Sequence, residues 1–315
     1  MKKRGYLEIS FAWLFALIVG AFILFLAIYF AINLIYQGQQ EQDAQTGKNI
    51  GILLNPLETG FQDAVSPPVI DFPAETRIYA SCQESGEFGT QYIKISQKSF
   101  GKWTDTNIKV PFQNKYIFAE YPIEGKKFMI FSKPFEMPFK IADLVYMVPL
   151  DKKYCFKDAP EEIESEISAL SKGNLFHENC TESMIDVCFS SGSCDVKVNY
   201  QGGNFEKEGS GYVEKKSSKM FFEGDALMYS AIFSDEETYE CNLIRLMKRL
   251  EKLASLYSGK ADFIAGKCDT NIQPDLESLS SSARTFDDSS NLGILKTISE
   301  SVKDKNNDNQ KCKLW

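Results

Sequence analysis

The only histidine in the chain, His177, opens the segment HENCTESMIDVCFSSGSC, which also holds Cys180, Cys188 and Cys194. One imidazole nitrogen and three thiolates could furnish the four ligands of a tetrahedral zinc ion, and a cysteine beside a histidine is also the raw material of a nucleophilic pair. The spacing is not that of paired zinc knuckles, and no third group is identifiable to orient the imidazole. Disulfides are the default reading of these sulfurs. The eight cysteines, Cys82, Cys155, Cys180, Cys188, Cys194, Cys241, Cys268 and Cys312, are even in number and all fall in the later part of the chain. That usage fits an oxidising compartment, although spacing alone selects no connectivity. Asn179-Cys180-Thr181 is a glycosylation sequon, which implies a surface loop in an exported protein.

Other catalytic patterns are missing. There is no Gly-x-Ser-x-Gly elbow, no His-Glu-x-x-His pair and no Walker loop, and a Ser-His-Asp triad would depend on His177 alone. Ser99-x-x-Lys102 lacks the companion motifs of the serine β-lactamases, so it reads as a chance match. The carboxylates offer no isolated acid and base pair. The sequence therefore nominates no catalytic residue, no cofactor and no firm metal site. It favours a binding or assembly protein; the alternative is a surface-anchored enzyme or metal-binding protein using His177, Cys180, Cys188 and Cys194.

The elements that must position these residues begin with a long apolar run. Ile9 to Tyr36 is uncharged, with only Ser10 and Asn33 as polar interruptions. As a helix rising about 1.5 Å per residue it exceeds the roughly 30 Å hydrocarbon core of a bilayer. It is longer than the apolar core of a signal peptide and lacks a small-x-small exit. Lys2, Lys3 and Arg4 precede it and the next cation is Lys48, an asymmetry that predicts a cytoplasmic N-terminus and an extracytoplasmic remainder. The net charge is −8; setting aside the three cations and Glu8 at the start leaves −10 on the rest. Such an acidic body repels nucleic acid and leaves the membrane anchor and other surface proteins as the expected partners.

The pattern predicts an α+β fold: a cytoplasmic start (1–8), a transmembrane helix (9–36), a polar stalk and lead-in (37–74), a β-rich antiparallel module (75–150), a mixed α/β module (151–305) and a polar tail (306–315). In the first module, Thr76 to Cys82 reads as the first strand, Ile93 and Ile95 alternate with Tyr92 and Lys94, and Glu124-Gly125 reads as a turn between two strands. Tyr116, Phe118, Phe128, Phe131 and Phe135 are expected in the core. The second module begins with a strand-helix-strand unit whose helix carries Asp158 as cap, Pro160 in its first turn and Gly173 at its exit; no glycine fingerprint follows the strand. MFFEGDALMYSAIF is expected to add strand. Ser234 and Glu237 suit a capping box for a long helix whose Tyr239, Leu243, Leu246, Leu250, Leu253 and Tyr257 form one seam, a core-facing stripe. Two more helices follow, around Pro274–Arg284 and Ser290–Lys303.

Glu8, between three cations and the apolar run, has two readings. In one, it lies at headgroup level beside Lys3 and Arg4, where a carboxylate costs little. In the other, KKRG followed by YLEISF resembles the class III signal of type IV pilin-like proteins. That resemblance covers about 35 residues and implies cleavage after Gly5, freeing Tyr6, with Glu8 steering assembly; Glu8 would be third in the mature chain, where the family's acid is fifth. The layout of anchor, stalk and head also resembles archaeal single-pass membrane proteins, which implies a cell-surface setting. The pilin-like reading expects N-terminal sequencing of the protein isolated from its native membrane to begin at Tyr6, whereas the headgroup reading expects no such cut; an intact Met1 would remove the pilin-like reading.

Overall fold

A computed structural model describes residues 11–53, 69–99, 101–104, 109–170, 173–190, 192–202, 209–265, 271–308 and 312–315. The first helix, α1 (Phe11–Leu53), runs unbroken into the stretch expected to be a stalk and lead-in. Its apolar part, Phe11–Ile35, has a mean hydropathy of 2.8 and is nowhere buried against the protein, so by length and composition it is able to cross a bilayer. The rest is a mixed α/β domain.

The first sheet is built from β1 (Val69–Gln83), β2 (Thr90–Ser99), β3 (Lys102–Trp103), β4 (Val110–Phe112), β5 (Tyr116–Phe118), β6 (Ile123–Glu136) and β7 (Lys140–Pro149), in the order β3-β2-β1-β6-β7-β5, with β4 also on β2. All pairings are antiparallel except β5 on β7. β1 begins earlier than its sequence suggests because Val69 to Asp71 pair with Lys127 to Met129, beyond a register shift that contains Pro73. The Glu124-Gly125 turn is not formed. Glu124 and Gly125 lie inside β6 opposite Arg77 and Thr76, and Arg77 Nε reaches Glu124 at 2.7 Å. The chain turns instead around Tyr121 and Pro122, and the two strands expected to pair there do not, since β7 lies between β5 and β6.

This sheet curls on itself. Ile93 and Ile95 of β2 share an apolar interior with Ile117 of β5, although the two strands lie toward opposite ends of the sheet. Gln91 bridges the seam between them: its Oε1 accepts from the Ile117 N–H and its Nε2 donates to the Ile117 carbonyl, both at 2.8 Å. A fully buried side-chain amide thus takes the place of a strand pairing and closes an otherwise exposed edge.

The second sheet comprises β8 (Tyr154–Lys157), β9 (Leu175–Phe176), β10 (Ile185–Cys188), β11 (Val196–Gln201), β12 (Ser210–Lys215) and β13 (Ser218–Glu223), in the order β13-β12-β11-β10-β8-β9. β9, β8, β10 and β11 are parallel; β12 and β13 form an antiparallel flank. Helix α2 (Glu161–Leu170) joins β8 to β9 as the strand-helix-strand unit expected, with Ile163 and Ile167 buried. Asp158 is not its cap: its carboxylate accepts from Ser190 Oγ at 2.6 Å. At the far edge, Phe221 of β13 donates its N–H to Ser289 Oγ at 3.1 Å and accepts at its carbonyl from Tyr239 Oη, so this edge is occupied.

Between the sheets lies α3 (Asp225–Phe233), where the sequence suggested strand. Ala226 to Phe233 are all buried. A short apolar run bounded by glycine suits a buried strand and a buried helix equally; Gly224 at φ 86° redirects the chain, and apolar neighbours on all sides then favour the helix. Lys215 and Ser234 cap its end: Lys215 Nζ donates to the Ser234 carbonyl at 2.7 Å and to that of Ile232, and burial lowers the Lys215 pKa to about 8. Helix α4 (Glu236–Ile264) starts from Asp235, not from the Ser234 and Glu237 box. Asp235 accepts from the Thr238 N–H at 2.9 Å, while the Ser234 hydroxyl closes α3 by donating to the Ser230 carbonyl. The α4 seam faces the core, with Tyr239, Leu243, Leu246 and Leu250 buried and Leu253 and Tyr257 packed against it.

Arg245 of α4 is fully buried without a carboxylate. Its five N–H groups are used by the carbonyls of Phe88, Phe112, Gln113 and Lys115 and by Asn242 Oδ1, and its guanidinium lies 4.7 Å from the centre of the Tyr116 ring. Burial lowers its pKa to about 10. A Cβ on Gly89 would stand 2.7 Å from Arg245 Cγ, so the close approach requires glycine. The Cys82–Cys241 disulfide fastens α4 to β1 across a sequence separation of 159. Helices α5 (Gln273–Arg284) and α6 (Leu292–Asp308) match the two expected. The expected polar tail is docked at its end: Leu314 is buried, its N–H meets Asn306 Oδ1 at 2.7 Å, and Trp315 packs on Phe139 and Tyr257.

Gln91→Leu is expected to destabilise the domain by about 2–3 kcal/mol, since it orphans the buried Ile117 N–H while Asn242 still serves the carbonyl. Urea unfolding of the variant against the parent measures this.

Candidate functional site

The residues singled out for zinc are committed elsewhere. Cys180 pairs with Cys155 and Cys188 with Cys194, so none of the three sulfurs near His177 is a thiolate. Cys312 is also disulfide-bonded, and Cys268 lies outside the described residues. Among the described residues no three His, Cys, Asp or Glu side chains gather as a metal site. His177 Nε2 lies 2.8 Å from Ser168 Oγ, but Ser168 donates its proton to the Glu164 carbonyl at 2.8 Å. With that proton spent, Ser168 can only accept from His177, and the imidazole does not activate it. Ser99 and Lys102 face each other across the β2–β3 hairpin, a structural pairing. Asn179 is exposed, at φ 54°. Gly5, Tyr6 and Glu8 lie outside the described residues.

A different site emerges at the carboxyl ends of the parallel strands. The connection from β8 passes through α2 to β9 on one side, while β10 lies on the other side of β8. In open α/β sheets such a reversal leaves a crevice beyond the strand ends, where ligands bind. Here Asp158 and Ser190 follow the two strands and bridge the crevice. It adjoins an open groove of about 250 Å³ along β11 and β12. Its lining comes from both faces of the sheet: Lys197, Asn199, Tyr212 and Glu214 share the face away from α3, with Lys219 Nζ 3.6 Å over the Tyr212 ring, whereas the Tyr200 ring lies beside Phe189 on the α3 face. Lys197 and Glu214 are cross-strand neighbours in register, yet they form no ion pair with each other among the described contacts.

Tyr200 is fixed on the α3 side of β11. Its hydroxyl donates to Asp225 Oδ1 at 2.9 Å and accepts from the Gly209 N–H at 3.1 Å. Gly209 lies so close that a Cβ there would fall 2.1 Å from the ring. Burial raises the Tyr200 pKa, and Asp225 adds to the shift. Burial also raises that of Asp225, against the pull of Lys133 and the Tyr200 hydrogen bond. Behind Asp225, Lys133 Nζ meets Glu166 at 2.8 Å and Tyr229 Oη donates to the same oxygen at 3.0 Å. The cluster draws on β6, α2, α3 and β11, so no local motif could have revealed it. The first turn of α2 carries Glu161, Glu162 and Glu164, and these carboxylates occupy the positive end of the helix, where a phosphate would otherwise be held.

No family model, curated protein or solved structure matches this chain.

The raised carboxyl of Asp225 fixes a sign. Its contribution to stability is fully present below the ordinary value of 3.8 and is lost as pH rises through the higher folded value. Asp225→Asn keeps an acceptor for Tyr200 and removes this loss. The melting temperature of the variant relative to the parent is expected to be higher at pH 7 than at pH 4; an unchanged difference would contradict the assignment.

Proposed function

We propose that the protein is a membrane-anchored extracytoplasmic binding or surface-assembly protein, with the groove along β11 and β12 as its binding place. One observation carries the reading: a 25-residue apolar run, Phe11–Ile35, with none of its residues buried by the protein. An apolar surface of that size is stable in lipid, not in water. The paired cysteines support an oxidising compartment for the domain, and the cations before the apolar run favour a cytoplasmic start. Leu256 and Phe263, 67% and 88% exposed on one face of α4, are apolar surface suited to assembly contacts.

A pilin-like maturation at Gly5-Tyr6 belongs to the same reading, with Glu8 placed at the start of the mature helix. The glycosylation sequon at Asn179 is accessible in such a setting.

Treatment of intact cells with a membrane-impermeant amine reagent is expected to modify Lys197, and the domain is expected to migrate differently with and without reductant. Labelling that appears only after lysis would overturn the orientation and the surface role together.

A further inference from the structure

We infer that Asn179 carries an N-linked glycan, and that the sugar is joined to it before the Cys155–Cys180 disulfide closes. This rests on the reading of the domain as exported and adds a modification site to it.

Asn179-Cys180-Thr181 is the one Asn-x-Ser/Thr triplet in the chain. A triplet alone is a weak sign, and its place in the fold supplies the rest. It lies between β9 and β10. Both strands run parallel to β8, so the connection 177–184 has to travel back over a face of the sheet. Tyr154 and Phe156 turn their rings toward Phe233 of α3, and Cys155 between them points the other way. The disulfide from Cys155 to Cys180 therefore holds the connection on the outer face, on which Lys197 and Asn199 also stand.

Cys180 turns inward to that bond, while Asn179 and Thr181 on either side of it are exposed. Asn179 sits at φ 54°, a left-handed conformation that asparagine tolerates, and its side-chain amide has no partner among the described residues. A sugar on that nitrogen projects into solvent and displaces nothing. The finished fold thus accommodates the glycan.

The same geometry sets the order of events. Because the triplet is defined by both its ends, the transferring enzyme has to engage the Asn179 amide and the Thr181 hydroxyl together. In the closed loop that hydroxyl is hydrogen-bonded to Ser183 Oγ at 3.1 Å, the Thr181 carbonyl accepts from the Met184 N–H at 3.0 Å, and Cys180 is bonded to a fully buried partner in β8. The middle of the triplet cannot leave the sheet while that bond stands. Before closure it can, since the cross-link is what restricts the opened chain.

In the transfer, Asn179 Nδ2 forms a C–N bond to the anomeric carbon of a glycan carried on a membrane lipid through phosphate. The bond from that carbon to the phosphate oxygen breaks, the lipid phosphate leaves with the electron pair, and one amide proton passes to a base of the enzyme. Nothing is oxidised or reduced.

The test uses the full chain from its native membrane, digested and read by tandem mass spectrometry. The peptide holding Asn179 is expected to carry whole sugar residues. Asn179→Gln and Thr181→Ala are each expected to lose them and Thr181→Ser to keep them; both positions are exposed, so the variants leave the core intact. For the order of events, cells are pulse-labelled and quenched with iodoacetamide. The earliest sugar-bearing chains are expected to have Cys180 alkylated, and chains with Cys155–Cys180 closed and Asn179 bare are expected to stay bare through a chase. An unmodified Asn179, sugar retained in Thr181→Ala, or sugar gained by chains already closed would overturn the proposal. Labelling of Lys197 from outside the cell separates the failures: a labelled chain with bare Asn179 loses only the glycan, whereas an unlabelled one loses the exported domain as well.

Discussion

The burial of α3 is the constraint on which the rest of the domain depends. From Ala226 to Phe233 every residue is buried, and a helix that is apolar all round has no face to give to water. It is stable only if covered on all sides, and the two sheets do this. Tyr146 and Phe131 of the first sheet pack on Tyr229 and Phe233, while Phe156 and Tyr154 of the second approach the same rings. The two expected modules consequently share one apolar core, continued by α4, α5 and α6 to Leu314.

Burying a helix whole creates a polar problem at each end. At the amino end, the Met228 N–H reaches the Gly224 carbonyl at 3.1 Å, Asp225 is held by Tyr200, and Tyr146 Oη donates to the Ala226 carbonyl at 2.7 Å. At the carboxyl end, Lys215 supplies the donors that water would otherwise provide, and its lowered pKa records what the amine gives up in leaving solvent. The tyrosine that fixes one end of α3 thus belongs to the interior face of β11, opposite the face that carries Lys197 and Asn199.

The remaining polar groups of the interior serve closure rather than chemistry. Gln91 closes the seam of the first sheet, and Arg245 gathers three loop carbonyls, those of Phe88, Gln113 and Lys115, and that of Phe112 at the end of β4. Neither residue pairs with an opposite charge. Each is retained because a buried carbonyl or amide left alone costs about as much as the hydrogen bond it lacks. Replacing Arg245 by an apolar side chain would therefore leave several backbone carbonyls at once without that donor, and replacing Gln91 would orphan the Ile117 N–H.

Periodicity and punctuation in the sequence were enough to determine the apolar first helix, the α2 unit with its exit at Gly173, the stripe along α4 and the two closing helices, because each of these depends on residues close together in the chain. Composition likewise determined that the cysteines pair. The tertiary structure alone decided that Glu124 and Gly125 are strand, since that follows from the pairing with Arg77 and Thr76 many residues away. It also decided that DALMYSAIF is a helix, since an apolar run takes whichever form its surroundings bury best, and it withdrew Cys180, Cys188 and Cys194 from any metal by placing partners beside them. The groove belongs to the same class. Lys197, Asn199, Tyr212 and Glu214 carry no motif, and only the pairing of β11 with β12 sets them on one face, where side chains distant in sequence share one surface.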